Sequence, residues 1–237
     1  EMSGVRDLAP MQGIKLRELA LTAERIADLQ PLATDRLERL FLVDTDVASL
    51  EPFRGSPLQL LAIERSPVTD LSPVVSASLQ QLQLVNLPLE DLSPLARARP
   101  EYVWIESTRV RDLAPLSGMN PPKLYLQDSP IEDLSPLAGK MFEELNLSGT
   151  VVSDLEPCRT MRLGILWLRR TPVTDLSPLL GTQLTSLDVQ ETPVSDLRPL
   201  AKLATLQRLN ISGSAVADVT PISKLPLTRL IWTPTRV

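Results

Sequence analysis

The chain has 237 residues, 43% hydrophobic and 22% charged, with a formal net charge of −5, a balance that argues against disorder. Without a histidine and with one cysteine, it excludes Ser-His and Cys-His nucleophile pairs, His- or Cys-ligated metals, disulfides and CxxC redox pairs. No apolar run is long enough to span a bilayer, and no basic excess offers itself to nucleic-acid phosphates.

One phrase, Asp-Leu-Ser-Pro-Leu, organises the rest. Its proline falls at 10, 31, 52, 73, 94, 115, 136, 157, 178, 199 and 221, nine intervals of 21 residues and a last one of 22, so the added residue lies between Pro199 and Leu206. The unit opens on L-x-x-L-x-L, and these segments begin at 16, 37, 58, 79, 100, 121, 142, 163, 184, 206 and 227. Period-two alternation predicts strands, and one strand per repeat, all running the same way, predicts a parallel sheet. After each strand comes a turn closed by Val or Ile, then Asp-Leu-x-Pro, which reads as the capped start of a short helical turn with proline where its missing N–H is harmless. The few residues left allow a 3₁₀ turn rather than an α-helix. No repeat can bury its leucines alone, but stacking at roughly 4.8 Å per strand makes one continuous core, so residues 1–237 form one solenoid domain of about eleven repeats.

Several columns invite functional readings that packing explains better. Asp7, Asp28, Asp70, Asp91, Asp112, Asp133, Asp154, Asp175, Asp196 and Asp218 form a column broken only by Ser49; a cation ladder is conceivable, but capping of each turn is the stronger reading. If mutual repulsion governs this column, inert salt raises the melting temperature. Thr45, Ser66, Thr108, Ser129, Thr150, Thr171, Thr192, Ser214 and Thr235 form a hydroxyl column expected to satisfy turn amides, interrupted by Glu24 and Leu87. Cys158 takes the place of a core leucine, and Phe53, Phe142 and Trp232 stand on core columns. The glycosylation-like triplets at Asn146 and Asn210 arise from the strand pattern itself. Nothing in the pattern calls for a cofactor or a metal.

The D-L-S-P-L phrase, as at Asp91 to Leu95, Asp133 to Leu137 and Asp175 to Leu179, with the L-x-x-L-x-L strand motif, resembles bacterial internalin-like leucine-rich repeats over the whole chain. The resemblance implies an α/β solenoid that is right-handed and curved, with a parallel β-sheet on its concave face and short 3₁₀ turns on its convex face. It also implies a binding role, usually toward proteins, in a bacterial cell-surface or extracytoplasmic setting. The hydroxyl column replaces the asparagine such repeats often carry. Because neither end shows a capping module, the chain is expected to be a segment of a longer protein with flanking domains.

If packing dictates the inward positions, information about a ligand lies in the outward ones. The central outward column places Trp104, Tyr125 and Trp167 near its middle, with Tyr102 beside them. Exposed aromatic residues at this density mark recognition. Glu106, Lys123, Gln127, Asn146 and Arg169 surround them, and the patch is acidic from 101 to 144 and basic just after. Aromatic anchors ringed by charge fit a protein hot spot, and the acidic stretch predicts a partner with a basic segment. Three readings follow: a non-catalytic protein-recognition module, a glycan-binding surface, and a scaffold for an enzyme outside this segment. Intrinsic catalysis is disfavoured, because a carboxylate on an open sheet lacks the desolvated cleft that general acid–base chemistry requires.

Overall fold

A computed structural model describes residues 7–22, 25–75 and 78–233. Glu24 and Thr235 of the hydroxyl column fall outside them. The chain divides into two compact units, Glu1–Pro121 and Pro122–Val237.

In the first unit five parallel strands lie in chain order: β1 (Glu18–Thr22), β2 (Arg39–Val43), β3 (Leu60–Glu64), β4 (Gln81–Val85) and β5 (Tyr102–Glu106). The register pairs each residue with the one a full repeat later, as in Leu40 with Leu61 and Leu82 with Val103. This keeps like side chains in columns. Leu40, Leu42, Leu61, Ile63, Leu82, Leu84, Val103 and Ile105 are all completely buried, while the residues between them face outward, as the two-residue period requires.

The second unit repeats the plan with β6 (Lys123–Tyr125), β7 (Met141–Asn146), β8 (Arg162–Trp167), β9 (Ser186–Asp188), β10 (Arg208–Asn210) and β11 (Arg229–Ile231). Across the added residue the register holds: Leu187 still faces Leu209. The extra residue is absorbed on the turn side, where Leu203 leaves the 3₁₀ segment Arg198–Lys202 at φ −80° and ψ 75°, whereas Ala98 and Met161 leave the equally long segments of ordinary repeats with ψ 155° and 152°. Cys158, Phe53 and Phe142 are buried in the core columns as expected. Trp232 is a partial correction. It is half-buried, and Leu230 and Ile231 before it are 43% and 37% exposed, because among the described residues β11 pairs with β10 alone.

Opposite the sheet, the helical segments of the described residues are 3₁₀ turns of three to five residues. Every aspartate of the column uses Oδ1 to accept the backbone N–H two residues on, at 2.7–2.9 Å. Ser49 does the same with its hydroxyl at 3.3 Å. The aspartate thus stands one place earlier than a helix N-cap, which falls on the following leucine, as at Leu134. The bond closes an Asx-turn that delivers the chain into the 3₁₀ segment. The hydroxyl column is buried, and part of it meets turn amides as expected: Ser66, Thr108 and Ser214 accept the N–H of Thr45, Val110 and Val216 at 3.4–3.5 Å. In the second unit Thr150, Thr171, Thr192 and Ser214 each donate at 2.7 Å to the carbonyl three residues earlier. At Leu147, Leu168 and Ile211 the same carbonyl also accepts the backbone N–H of the hydroxyl-bearing residue, so the hydroxyl uses the second lone pair of a buried acceptor.

These turns carry a pH dependence. The Ser93 hydroxyl and N–H hold Asp91 below the usual carboxylate range, and the Ser135 N–H and hydroxyl do the same for Asp133. Ser177 lowers Asp175, Arg198 lowers Asp196 and Thr220 lowers Asp218. A carboxyl depressed in the folded chain stabilises it fully above its unfolded value, about 4, and that contribution disappears as pH falls through the folded values. The melting temperature is therefore expected to stay level down to about pH 5 and to fall steadily below about pH 4. A thermal melt series from pH 7 to 2 checks it, and a level curve throughout would refute the role given to the turns. At Asp175 the Ser177 donors outweigh the repulsion from Asp196.

Candidate functional site

The sheet faces carry the outward residues singled out in the sequence, and each unit brings a different set together. In the first unit Tyr102 and Trp104 project from β5 on either side of buried Val103. Their rings stack with centroids 5.9 Å apart and planes 16° from parallel. Both are half-buried, as is Glu106 two residues further along the same face. Gln81 and Gln83 of β4 lie in register beside the two rings.

In the second unit Tyr125 of β6 and Trp167 of β8 stack although a strand separates them, with centroids 6.2 Å apart and an interplanar angle of 27°. Asn146 of β7 lies in register between them, and its short side chain lets the two rings lean together above it. Asn146 is held from both sides: Nδ2 donates to Gln127 Oε1 at 2.6 Å, and Oδ1 accepts the Ser148 N–H at 3.0 Å. Asn210 repeats the device, accepting the Ser212 N–H and donating to Asp188 and Gln190.

Charge on this face is largely settled within the chain. Glu144 accepts Lys123 Nζ at 2.7 Å with one oxygen and the Tyr125 hydroxyl with the other. Burial pushes its carboxyl up, but the hydrogen bonds from Lys123 and Tyr125 and the lysine charge outweigh that, and it titrates below its ordinary value. Arg170 reaches Asp128 at 3.3 Å, and Arg169 lies 4.0 Å from Glu191. Gly149 permits the close approach of Asp128, because a Cβ there would fall 2.1 Å from Asp128 Oδ1. The acidic and basic stretches read in the sequence are thus partly one set of ion pairs.

Sequence reasoning missed a cleft of about 370 Å³ in the second unit, beside Trp167 and walled also by Ile165, Asp188, Arg208 and Arg229. Short side chains on β9, at Ser186 and Asp188, open it between the larger residues of β8 and β10. The signal lay in the outward column next to the one chosen, where isoleucine, serine and two arginines follow Glu144 at repeat spacing.

No protein-family model matches the chain, and no curated protein does. Solved structures do. An internalin (inlF) of Listeria monocytogenes aligns over 92% of this chain and 67% of its own, at 23% identity and a TM-score of 0.74. The functional domain of InlJ from the same organism aligns over 92% of this chain at 18% identity and a TM-score of 0.65. This chain spans about half of that second structure, 48% of its length. Parallel strands one repeat apart, 3₁₀ turns in place of helices, and these two likenesses agree: the chain has an internalin-like leucine-rich-repeat fold.

Proposed function

We propose that the chain is a non-catalytic recognition module that binds a protein partner through the outward aromatic residues on the strands of its two units. The observation that carries this reading is the pair of ring stacks, Tyr102 with Trp104 and Tyr125 with Trp167. Folding does not need them there, because the core beneath is already filled by Val103, Ile105, Leu124 and Leu166. Stacked rings lose little conformational freedom on binding, which suits them as anchors. Glu106, Lys123, Gln127, Asn146 and Arg169 form the polar surround. Internal pairing of Lys123 and Asn146 fixes their geometry in advance, which lowers the ordering cost of association. Glu101 in the first unit and Glu143 in the second are each exposed and join no cation among the described residues, so either can meet a basic segment of the partner.

The test compares the wild-type chain with Trp104→Ala plus Tyr125→Ala in affinity capture from the source organism or its host, followed by titration of the captured partner. Both substitutions lie on outward positions, so the fold should survive, as circular dichroism will verify. The double variant is expected to weaken the partner by about a hundredfold, since two hot-spot anchors are removed. A partner held equally by both proteins would place recognition elsewhere on the molecule.

A further inference from the structure

Arg208 and Arg229 occupy the same outward position on neighbouring strands and lie directly in register. Both are exposed, and neither forms an ion pair among the described residues, although the chain carries more carboxylates than cations. Like charges placed opposite each other across a sheet destabilise it, so folding gives no reason for this pair. The two arginines line the cleft together with Trp167 and Ile165, and with the carboxylates of Glu144 and Asp188. The carboxylates nearest by are already engaged. Asp188 accepts from the Gln190 N–H and from Asn210, and Glu144 accepts from Lys123 and Tyr125. What the cleft offers a ligand is therefore two cations outside any ion pair among the described residues, beside an apolar wall, with the Asp188 carboxylate held back by its own hydrogen bonds.

We propose that this cleft is a binding subsite for a carboxylate side chain on an extended segment of the protein partner, with Arg208 and Arg229 clamping the carboxylate and Trp167 and Ile165 packing an adjoining apolar residue. The inference rests on the recognition reading above and adds the chemistry of the partner at one place. Guanidinium forks match a carboxylate in two-point geometry and lose less hydration than an ammonium in doing so. A polyanion fits poorly, because a nucleic acid needs a track of cations along its backbone, whereas this pair is bounded by the carboxylates of Asp188 and Glu144. A partner that meets both surfaces carries a basic stretch and, apart from it, an acidic residue beside an apolar one.

The experiment pans a random linear-peptide display library on three forms of the full chain: wild type, Arg208→Gln plus Arg229→Gln, and Tyr102→Ala plus Trp104→Ala. Expected is a wild-type pool enriched in Asp or Glu next to an aromatic or branched residue, lost on the arginine variant and kept on the first-unit variant. The best acidic peptide should bind the arginine variant about tenfold or more weakly, the loss of charge-assisted hydrogen bonds. Its Glu→Gln counterpart should lose as much on wild type, while Arg36→Gln, an exposed arginine of the first unit, changes affinity by less than about twofold. No acidic enrichment, the same enrichment on the arginine variant, or displacement of the peptide by a single-stranded oligothymidylate at lower concentration than by free peptide overturns the proposal. The two readings fail separately: partner capture that ignores Trp104 and Tyr125 removes the aromatic reading alone, and acid selection that ignores Arg208 and Arg229 removes the carboxylate subsite alone.

Discussion

In the native chain Cys158 is expected to react with an aromatic disulfide reagent at pH 8 at least about a thousandfold more slowly than the same thiol in the unfolded chain. The thiol is fully buried, and burial, helped by the charge of Asp154, pushes its pKa up to about 12. Against the ordinary thiol value of about 8.5, that leaves a thiolate population smaller by about three orders of magnitude, and only the thiolate attacks. Burial adds exclusion of the reagent, so modification proceeds through opening of the turn Glu156–Thr160 rather than from the folded state. Stopped-flow labelling with and without urea measures both rates. Rapid stoichiometric labelling of the native chain would show that the column position of Cys158 is not core, and would reopen a chemical role for it.

That position illustrates what a repeat makes legible. A residue standing where Leu95, Leu116, Leu137, Leu179 and Leu200 stand in other repeats inherits their environment, because the strand register fixes each column to one depth. The same logic foretold the parallel sheet, the 3₁₀ turns and the buried phenylalanines Phe53 and Phe142. It failed where a residue's surroundings are not those of its column. Trp232 occupies a core column, but among the described residues β11 has a neighbouring strand on one side only, and the residues before it stay partly exposed. The hydroxyl bonds were only half legible, since a serine or threonine serves equally as donor and acceptor: Thr150 and Thr171 donate to the carbonyl three residues back, while Ser66 and Thr108 accept a backbone N–H.

The outward face is less legible for a related reason. Alternation says that Trp104, Tyr125 and Trp167 point away from the core, and they do. It does not say which of them meet. Tyr102 and Trp104 stack along a single strand, while Tyr125 and Trp167 meet over Asn146, a contact that depends on the small volume of the side chain between them. Nor does column reading reveal a cleft, which is the absence of side-chain volume at Ser186 and Asp188 more than the presence of any residue. Charges counted along the chain suggested an acidic zone followed by a basic one. In space Lys123 and Glu144, and Asp128 and Arg170, cancel each other, which leaves Arg208 and Arg229 as the exposed cations beside the cleft.

Phe142→Ala is expected to cost about 3–5 kcal/mol of folding free energy, the range for removing a fully buried aromatic ring and leaving a cavity behind. Phe142, the second residue of β7, is 1% exposed and holds the first motif position of its repeat, where Leu163, Leu184 and Leu206 stand in later ones. Leucine is thus compatible with that place in the unit, and Phe142→Leu should cost less than about 1.5 kcal/mol. In a solenoid each repeat touches only its neighbours, and stability is close to a sum of repeat and interface terms. The loss should therefore appear first as faster hydrogen exchange in β7 and β8 and as a lower urea midpoint for the second unit, with β2 and β3 of the first unit changed less. An unaltered midpoint, or equal loosening of every strand, would contradict nearest-neighbour packing in this chain. The contrast with the outward variants is the sharper point. Removing Phe142 withdraws support from beneath the face without taking a side chain from it, whereas replacing Arg208 and Arg229 takes charge from the face and relieves a repulsion beneath no core residue. Stability should fall in the first case and hold or rise in the second, so the inward and outward positions of one repeat can be assigned to folding and recognition by separate measurements.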